Sequence, residues 1–98
     1  MTEKQEAWLS FIYIWTVVNK NRDFNTMHDG YGCYENSSQV SDLSFLAENN
    51  YLDGHVRLGD GWDWIFNITQ KGIDYLKSIN YKNKYGDGKA YSYMEMYK

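Results

Sequence analysis

The chain of 98 residues has no proline, one cysteine and two histidines. The single cysteine, Cys33, cannot form an internal disulfide, which is typical of a cytosolic protein. One cysteine and two histidines, His28 and His55, also cannot supply the four ligands of a structural zinc site by themselves. We therefore expect a cytoplasmic protein with no disulfide, no metal site and no cofactor.

Long apolar runs and targeting signals are also missing. The apolar stretch that begins at Ala7 is interrupted, and it is shorter than the roughly 20 residues that a membrane-spanning helix needs. The N-terminus lacks the cleavage-site pattern of a signal peptide. These absences predict no association with a membrane.

Basic residues are scarce in the middle of the chain. Between residues 23 and 63 only Arg57 opposes eight acids, which are Asp23, Asp29, Glu35, Asp42, Glu48, Asp53, Asp60 and Asp63. Residues 71–98 reverse this balance, with six lysines and three acids. An acidic body with a basic C-terminal part favours self-association or a partner of mixed charge over DNA binding by the whole domain.

Aromatic residues are abundant, with ten tyrosines and four tryptophans. Such side chains build cores from large rings with polar tips, and they are also enriched at binding surfaces. A chain of this length forms one small domain that buries only roughly 60–65% of its surface, so a stabilising partner is plausible. We assign residues 1–80 to the domain and expect the Tyr- and Lys-rich segment 81–98 to dock on it or on a second subunit.

Residues 3–22 are predicted to form a helix, with Thr2 as its N-cap. One apolar stripe has helical spacing and comprises Trp8, Phe11, Ile12, Trp15 and Val18. A second apolar flank comprises Leu9, Tyr13, Ile14 and Val17. A helix that is apolar on most sides is either central to the core or shared with a second subunit, and the sequence leaves both interpretations open.

Residues 23–37 are rich in Gly, Asn and Asp and are predicted to form a loop. A second helix is predicted over 38–49, with Phe45 off its apolar stripe and a left-handed stop at Asn49 and Asn50. The stripe comprises Val40, Leu43, Leu46 and Ala47.

A β-hairpin is predicted from alternating residues in 51–58 and 62–68, on either side of Gly59-Asp60-Gly61. In the first strand one face carries Leu52, Val56 and Leu58, and the other face carries Tyr51, Asp53, His55 and Arg57. In the second strand Trp62, Trp64, Phe66 and Ile68 share a face. A last helix is predicted to begin after Thr69. Its Gly72 costs about 1 kcal/mol relative to alanine, which close approach to the sheet would explain.

Two runs of residues between Val40 and Leu76 form a recurring pattern. The first is Val40, Leu43 and Leu46 followed by Asn50-Tyr51-Leu52, and the second is Ile68-Thr69-Gln70-Lys71-Gly72-Ile73 with Leu76. Over about residues 37–79 this pattern resembles winged helix-turn-helix regulators of the MarR and PadR type. It implies an α+β winged-helix domain, in which helices are combined with a two- or three-stranded β-hairpin wing.

The helix-turn-helix is degraded relative to that family. The short helix expected before the recognition helix falls in residues 23–36, which are predicted to be loop. The helix that should enter the major groove offers no Lys or Arg, although such residues supply most DNA affinity through phosphate contacts. These departures disfavour DNA binding.

Candidate catalytic groups are sparse. His28-Asp29 near Cys33 could supply a base and a nucleophile, but no third group or oxyanion site accompanies them, so we interpret them as surface loop residues. Trp62 and Trp64 could stack bases, but a core face for the hairpin is the simpler interpretation. We expect no enzymatic activity.

The sequence supports two functional hypotheses. The first is protein recognition by an acidic face, using Asp42, Asp60 and Asp63 with Phe45 and Tyr51 as apolar anchors, in a small phage-type inhibitor of a nucleic-acid-handling protein. The alternative is a DNA-binding transcriptional regulator that dimerises through residues 3–22 and the C-terminal segment. In that case the residues that would touch the DNA backbone are Arg57, Lys82, Lys84 and Lys89.

Overall fold

The computed structural model describes residues 1–25, 38–59 and 61–85 and shows a small α+β protein, the fold class expected from the sequence. Helix α1 (Glu3–Tyr13) continues as a π-helix (Ile14–Val18) and is followed by strand β1 (Phe24–Asn25). Then come α2 (Ser38–Glu48), β2 (Leu52–Gly59), β3 (Gly61–Ile68), α3 (Gln70–Ser78) and α4 (Tyr81–Tyr85). The strands form one antiparallel sheet in the order β1-β3-β2. In the described ranges, no helix has both the length and the apolar character needed to cross a membrane.

Helix α1 begins as predicted but ends earlier. The Thr2 side chain accepts a hydrogen bond from the Gln5 backbone N–H (3.2 Å), and the Gln5 side chain accepts one from the Thr2 N–H (2.9 Å), which confirms the predicted cap. The predicted end at residue 22 is wrong, because helical structure stops at Val18 and Lys20 has a left-handed φ of 53°. Near this end the Thr16 hydroxyl donates to the Ile12 carbonyl (2.8 Å), a side-chain bond that competes with regular helical bonding.

The predicted loop over residues 23–37 is wrong at its start. Phe24 and Asn25 form strand β1, in which Phe24 pairs with Phe66 and Asn25 with Ile65. The Phe24 side chain is fully buried among aromatic residues of α1. Residues 26–37 lie outside the described part of the chain, so the remainder of this prediction is not tested.

Helix α2 ends as the sequence predicts. Asn50 has a left-handed φ of 63°. The N–H of Tyr51 donates to the Leu46 carbonyl (2.9 Å) and that of Asn50 to the Ala47 carbonyl (3.1 Å), which is the Schellman pattern. This turn carries the chain directly into strand β2.

The structure confirms the predicted hairpin. Leu52 lies opposite Ile68, Val56 opposite Trp64, and Leu58 opposite Trp62, so the apolar positions that alternate along each strand are paired with one another. The strands themselves begin or end within one residue of the predicted bounds. Gly54 lies opposite Phe66, and a Cβ at this position would collide with the Phe66 ring.

The core is built around α1. All residues from Gln5 to Ile12 are buried, and the surrounding buried side chains come from every other described element except the π-helix. These side chains are Phe24, Leu43, Leu46, Leu52, Phe66, Leu76, Tyr81 and Tyr85. Within one chain, α1 is therefore a central core helix, which favours the first of the two interpretations left open by its sequence.

The apolar stripe predicted for the first helix is correct up to Trp15 and wrong at Val18. Val18 is 53% exposed and Val17 is 41% exposed. The physical reason is that both residues lie in the π-helical turn, in which hydrogen bonds span five residues and side chains are rotated relative to their positions in an α-helix. Periodicity that assumes 3.6 residues per turn cannot detect this change.

Candidate functional site

The exposed surface of α2 is acidic. Glu48 is exposed and Asp42 is half-buried, and the helix sequence from Ser38 to Glu48 contains no Lys or Arg. Asp53, exposed on strand β2 next to α2, adds a third carboxylate. We call Asp42, Glu48 and Asp53 the acidic surface. The Asp42 carboxylate has only one described hydrogen bond, a long one from the Gln5 side-chain amide (3.4 Å), so it keeps acceptor capacity for a partner.

The two predicted apolar anchors are more engaged than their sequence positions indicate. Phe45 is half-buried and contacts the core, so only part of its ring is available. Tyr51 precedes β2 and is not on the outer face of that strand, which corrects the prediction. Its ring lies 5.5 Å from the Tyr75 ring, and the Lys71 ammonium group lies 4.6 Å from its centroid. Tyr51 therefore packs within its own chain.

Of the remaining predicted contact residues, the structure describes some fully, some by their backbone alone and some not at all. The backbones of Arg57 and Asp63 are paired in the β2–β3 register, and their side chains lie outside the described part. Asp60 and Lys89 also lie outside it. Lys82 is exposed, and Lys84 forms an ion pair with Glu6 (3.5 Å). The proposed binding roles of these residues stay predictions.

A buried polar cluster around Glu6 was not found by sequence reasoning. The Glu6 side chain is largely buried. The Tyr75 hydroxyl donates to one carboxylate oxygen (2.7 Å) and the Tyr85 hydroxyl to the other (3.2 Å), while the Lys84 ammonium group neutralises the charge. Burial of a carboxylate is costly unless such partners are supplied. Glu6 thus joins α1 to both α3 and α4.

The only sequence signal for Glu6 was its position in the first turn of a helix, where carboxylates interact favourably with the helix dipole. That position does not reveal its partners, because Tyr75 and Tyr85 are 69 and 79 residues away along the chain. The cluster is therefore a product of the tertiary fold.

Two tyrosines in or near this cluster have pKa values above the ordinary value of a tyrosine. Burial raises the pKa of Tyr75 to about 12, with further contributions from its hydrogen bond to Glu6, from the Glu6 charge and from Tyr51. Burial, followed by the effect of Tyr13, also raises the pKa of Tyr81. At neutral pH both phenols are therefore protonated, and the Tyr75 hydroxyl acts as a hydrogen-bond donor and not as a base.

Tyr75→Phe tests this arrangement through pH. A tyrosine whose pKa is higher in the folded than in the unfolded state contributes stability below pH 10, and this contribution is lost as the pH rises from 10 to 12. The free energy of unfolding of the wild type should therefore fall more steeply than that of Tyr75→Phe over this window, as measured by urea denaturation at pH 9 and pH 11.5. An equal difference between the two proteins at both pH values would contradict the assignment.

Candidate catalytic or metal-binding chemistry does not emerge from the described residues. Among the side chains that the structure describes, no three His, Cys, Asp or Glu residues come together in a way that could hold a metal ion. His28, Asp29 and Cys33 lie in the range that is not described, so their interpretation as surface loop residues stays a prediction. What the described surface offers is charge and a partly exposed aromatic ring, which are features of binding.

Comparisons with protein-family models, with curated proteins and with solved structures gave no significant match to this chain. The functional argument therefore depends on the geometry and charge described above.

Proposed function

We propose that this chain is a winged-helix domain of the cytoplasm that recognises a protein through its acidic surface and catalyses no reaction. The order α2, β2, β3, α3 supports a winged helix, because a helix followed by a tight hairpin and a further helix is the arrangement that the MarR and PadR resemblance implies. Strand β1, which lies between α1 and α2 in sequence and pairs with β3, extends the hairpin to three strands.

The observation that carries the functional proposal is the charge of α2. In this architecture α2 occupies the position of the recognition helix, yet it has two carboxylates and no base. A DNA backbone would be repelled by this helix, whereas a basic protein surface would be attracted. The half-buried Phe45 lies three residues from Asp42 on the same helix, so an aromatic contact and a charged contact are available together.

The partner that fits this surface is a protein with a basic face, such as a protein that handles nucleic acids. The acidic surface would then replace part of the phosphate charge that such a protein normally binds. A small phage-type inhibitor is a function of this kind. Phe45 is a better candidate anchor than Tyr51, whose ring is already held by Tyr75 and Lys71.

The proposal is tested on a partner recovered by affinity purification with the full chain. Exposed charges mainly set the association rate, so the triple variant Asp42→Asn/Glu48→Gln/Asp53→Asn, which neutralises the acidic surface, should bind more slowly, and its association rate should depend less on salt. Phe45→Ala should instead accelerate dissociation, by roughly tenfold or more. Both rates are measured by surface plasmon resonance at two salt concentrations. Asp74→Asn, which removes an exposed carboxylate on α3, is the matched control and should behave like the wild type.

Full affinity in both test variants would contradict the proposal and would indicate binding elsewhere, with the tyrosine-rich C-terminal segment as the next region to test. Nanomolar, sequence-specific DNA binding at physiological salt would instead favour the dimeric regulator. The described structure offers that alternative little support. Lys82 is exposed, but Lys84 is paired with Glu6.

A further inference from the structure

Helix α4 docks on α1, and the described contacts involve Tyr81, Lys84 and Tyr85. The Tyr81 ring meets the Tyr13 ring edge to face, with centroids 5.3 Å apart. The Tyr85 hydroxyl donates to the Glu6 carboxylate (3.2 Å) and also lies 3.3 Å from the Glu3 carbonyl, and Lys84 pairs with Glu6. Tyr81 and Tyr85 are both buried, although α4 has only five residues. The surface of α1 around Tyr13, Glu3 and Glu6 is therefore a binding site for this short helix, and we call it the α4 site.

The connection between α3 and α4 is a two-residue turn with an unfavourable backbone conformation. Asn80 has a φ of 53°, in the left-handed region, and its N–H donates to the Lys77 carbonyl (3.2 Å). Asparagine tolerates this region better than most residues but less well than glycine. This single residue directs α4 back towards α1.

The same segment is also compatible with a straight helix. Between Gly72 and Gly86 the sequence contains neither glycine nor proline, so no residue from 73 to 85 prevents α3 and α4 from becoming continuous. In that conformation α4 would extend away from its own α1. The α4 site would then be empty and its buried tyrosine contacts would be lost, unless another α4 took its place.

We propose that the α4 site is exchangeable, and that in a homodimer it is filled by α4 of a second copy of this chain. Both copies would donate α4 to the other, which gives a closed two-fold arrangement in which the contacts of Tyr81, Lys84 and Tyr85 with α1 are retained. Two effects decide between the bent monomer and the exchanged dimer. The bent form benefits from the high effective concentration of an attached segment. The left-handed conformation of Asn80 disfavours the bent form. This inference does not depend on the acidic-surface proposal. It also explains how α1 can be central to the core of one chain while residues 3–22 and 81–98 mediate the predicted association, because the exchanged α4 binds α1 in the same way in the monomer and in the dimer.

A matched pair of hinge variants tests the proposal. Asn80→Gly removes the cost of the left-handed turn and disfavours a continuous helix, whereas Asn80→Ala does the opposite. With two hinges per dimer and about a tenfold effect per hinge, the dimer dissociation constant of Asn80→Ala should be about 100-fold lower than that of Asn80→Gly. Sedimentation equilibrium of the full-length proteins over a wide concentration range measures this ratio. Equal dissociation constants, or monomers throughout, would overturn the proposal.

Cross-linking distinguishes an exchanged helix from any other dimer. Isotope-labelled and unlabelled Asn80→Ala chains are refolded together, and a carbodiimide is used to join the Lys84 amine to the Glu6 carboxylate. Cross-links between labelled and unlabelled chains in the dimer fraction are expected, and Lys84→Arg, which keeps the charge but cannot form the amide, should abolish them. Cross-links confined to chains of one label would overturn the proposal. Wild-type protein refolded at high concentration provides a second sample if the variant folds poorly.

Discussion

Replacing Phe24 with alanine should lower the free energy of unfolding by about 3–5 kcal/mol, the range found for large-to-small changes at fully buried aromatic positions. The Phe24 side chain has no exposed surface. Its ring lies 5.2 Å from that of Phe11, 6.1 Å from Trp8 and 6.0 Å from Trp15. Alanine would leave a cavity between α1 and the sheet that these three rings cannot all collapse to fill. Urea denaturation followed by tryptophan fluorescence measures the loss.

The preceding residue provides the control for Phe24→Ala. Asp23 is exposed and directly adjacent in sequence, so Asp23→Ala should change stability by no more than about 0.5 kcal/mol. The prediction from sequence, a glycine-rich loop from residue 23 onward, would make both substitutions equally mild. A loss of less than about 1 kcal/mol for Phe24→Ala would therefore restore the loop interpretation and contradict the buried strand.

Gly72→Ala should destabilise the protein by about 2–3 kcal/mol, although alanine normally favours a helix by about 1 kcal/mol over glycine. A Cβ at this position would collide with the Tyr51 carbonyl oxygen and would lie 2.8 Å from Cγ1 of Ile68. The carbonyl cannot easily move, because it accepts a hydrogen bond from the Thr69 N–H (3.3 Å), and the Thr69 side chain is itself held by a hydrogen bond from its hydroxyl to the Asn50 carbonyl (2.6 Å). The collision is thus with backbone that is already held in place.

The matched control for this change is Lys77→Ala on the same helix. Lys77 is exposed, so its replacement should alter stability by no more than about 0.5 kcal/mol. Thermal unfolding by circular dichroism compares the two variants with the wild type. Stabilisation by Gly72→Ala would mean that helix propensity outweighs the contact and that the start of α3 does not approach Tyr51 closely.

Local patterns in the sequence were sufficient for much of the fold. The asparagine stop of α2, the alternation on both sides of Gly59-Asp60-Gly61 and the cap at Thr69 each depend on residues close together in the chain. In the structure Thr69 accepts the Gly72 N–H (3.1 Å), which confirms that cap, and the collision at Gly72 confirms that glycine is needed for close approach. Short-range rules succeed here because the deciding interactions are themselves short-range.

In the candidate site, too, local features could be predicted and contacts between distant elements could not. The placement of Asp42 on a helix surface without bases could be predicted, because charge is a property of composition and helical position. The packing of Tyr51 against Tyr75 and Lys71 could not, because these contacts connect the end of α2 to α3. Sequence patterning identifies which residues are polar or apolar, but it does not identify which of them already pack against other residues of the same chain.

The features that the sequence did not reveal all depend on distant partners or on exact helix geometry. Phe24 becomes part of a strand because β3, some forty residues later, supplies its hydrogen bonds. Glu6 is a first-turn acid in sequence and a buried hub in three dimensions, because Tyr75, Lys84 and Tyr85 return to it from the far end of the chain. The π-helical turn redirects Val17 and Val18 to the surface. Periodicity constrains each element separately, whereas these features arise only when the elements are packed together.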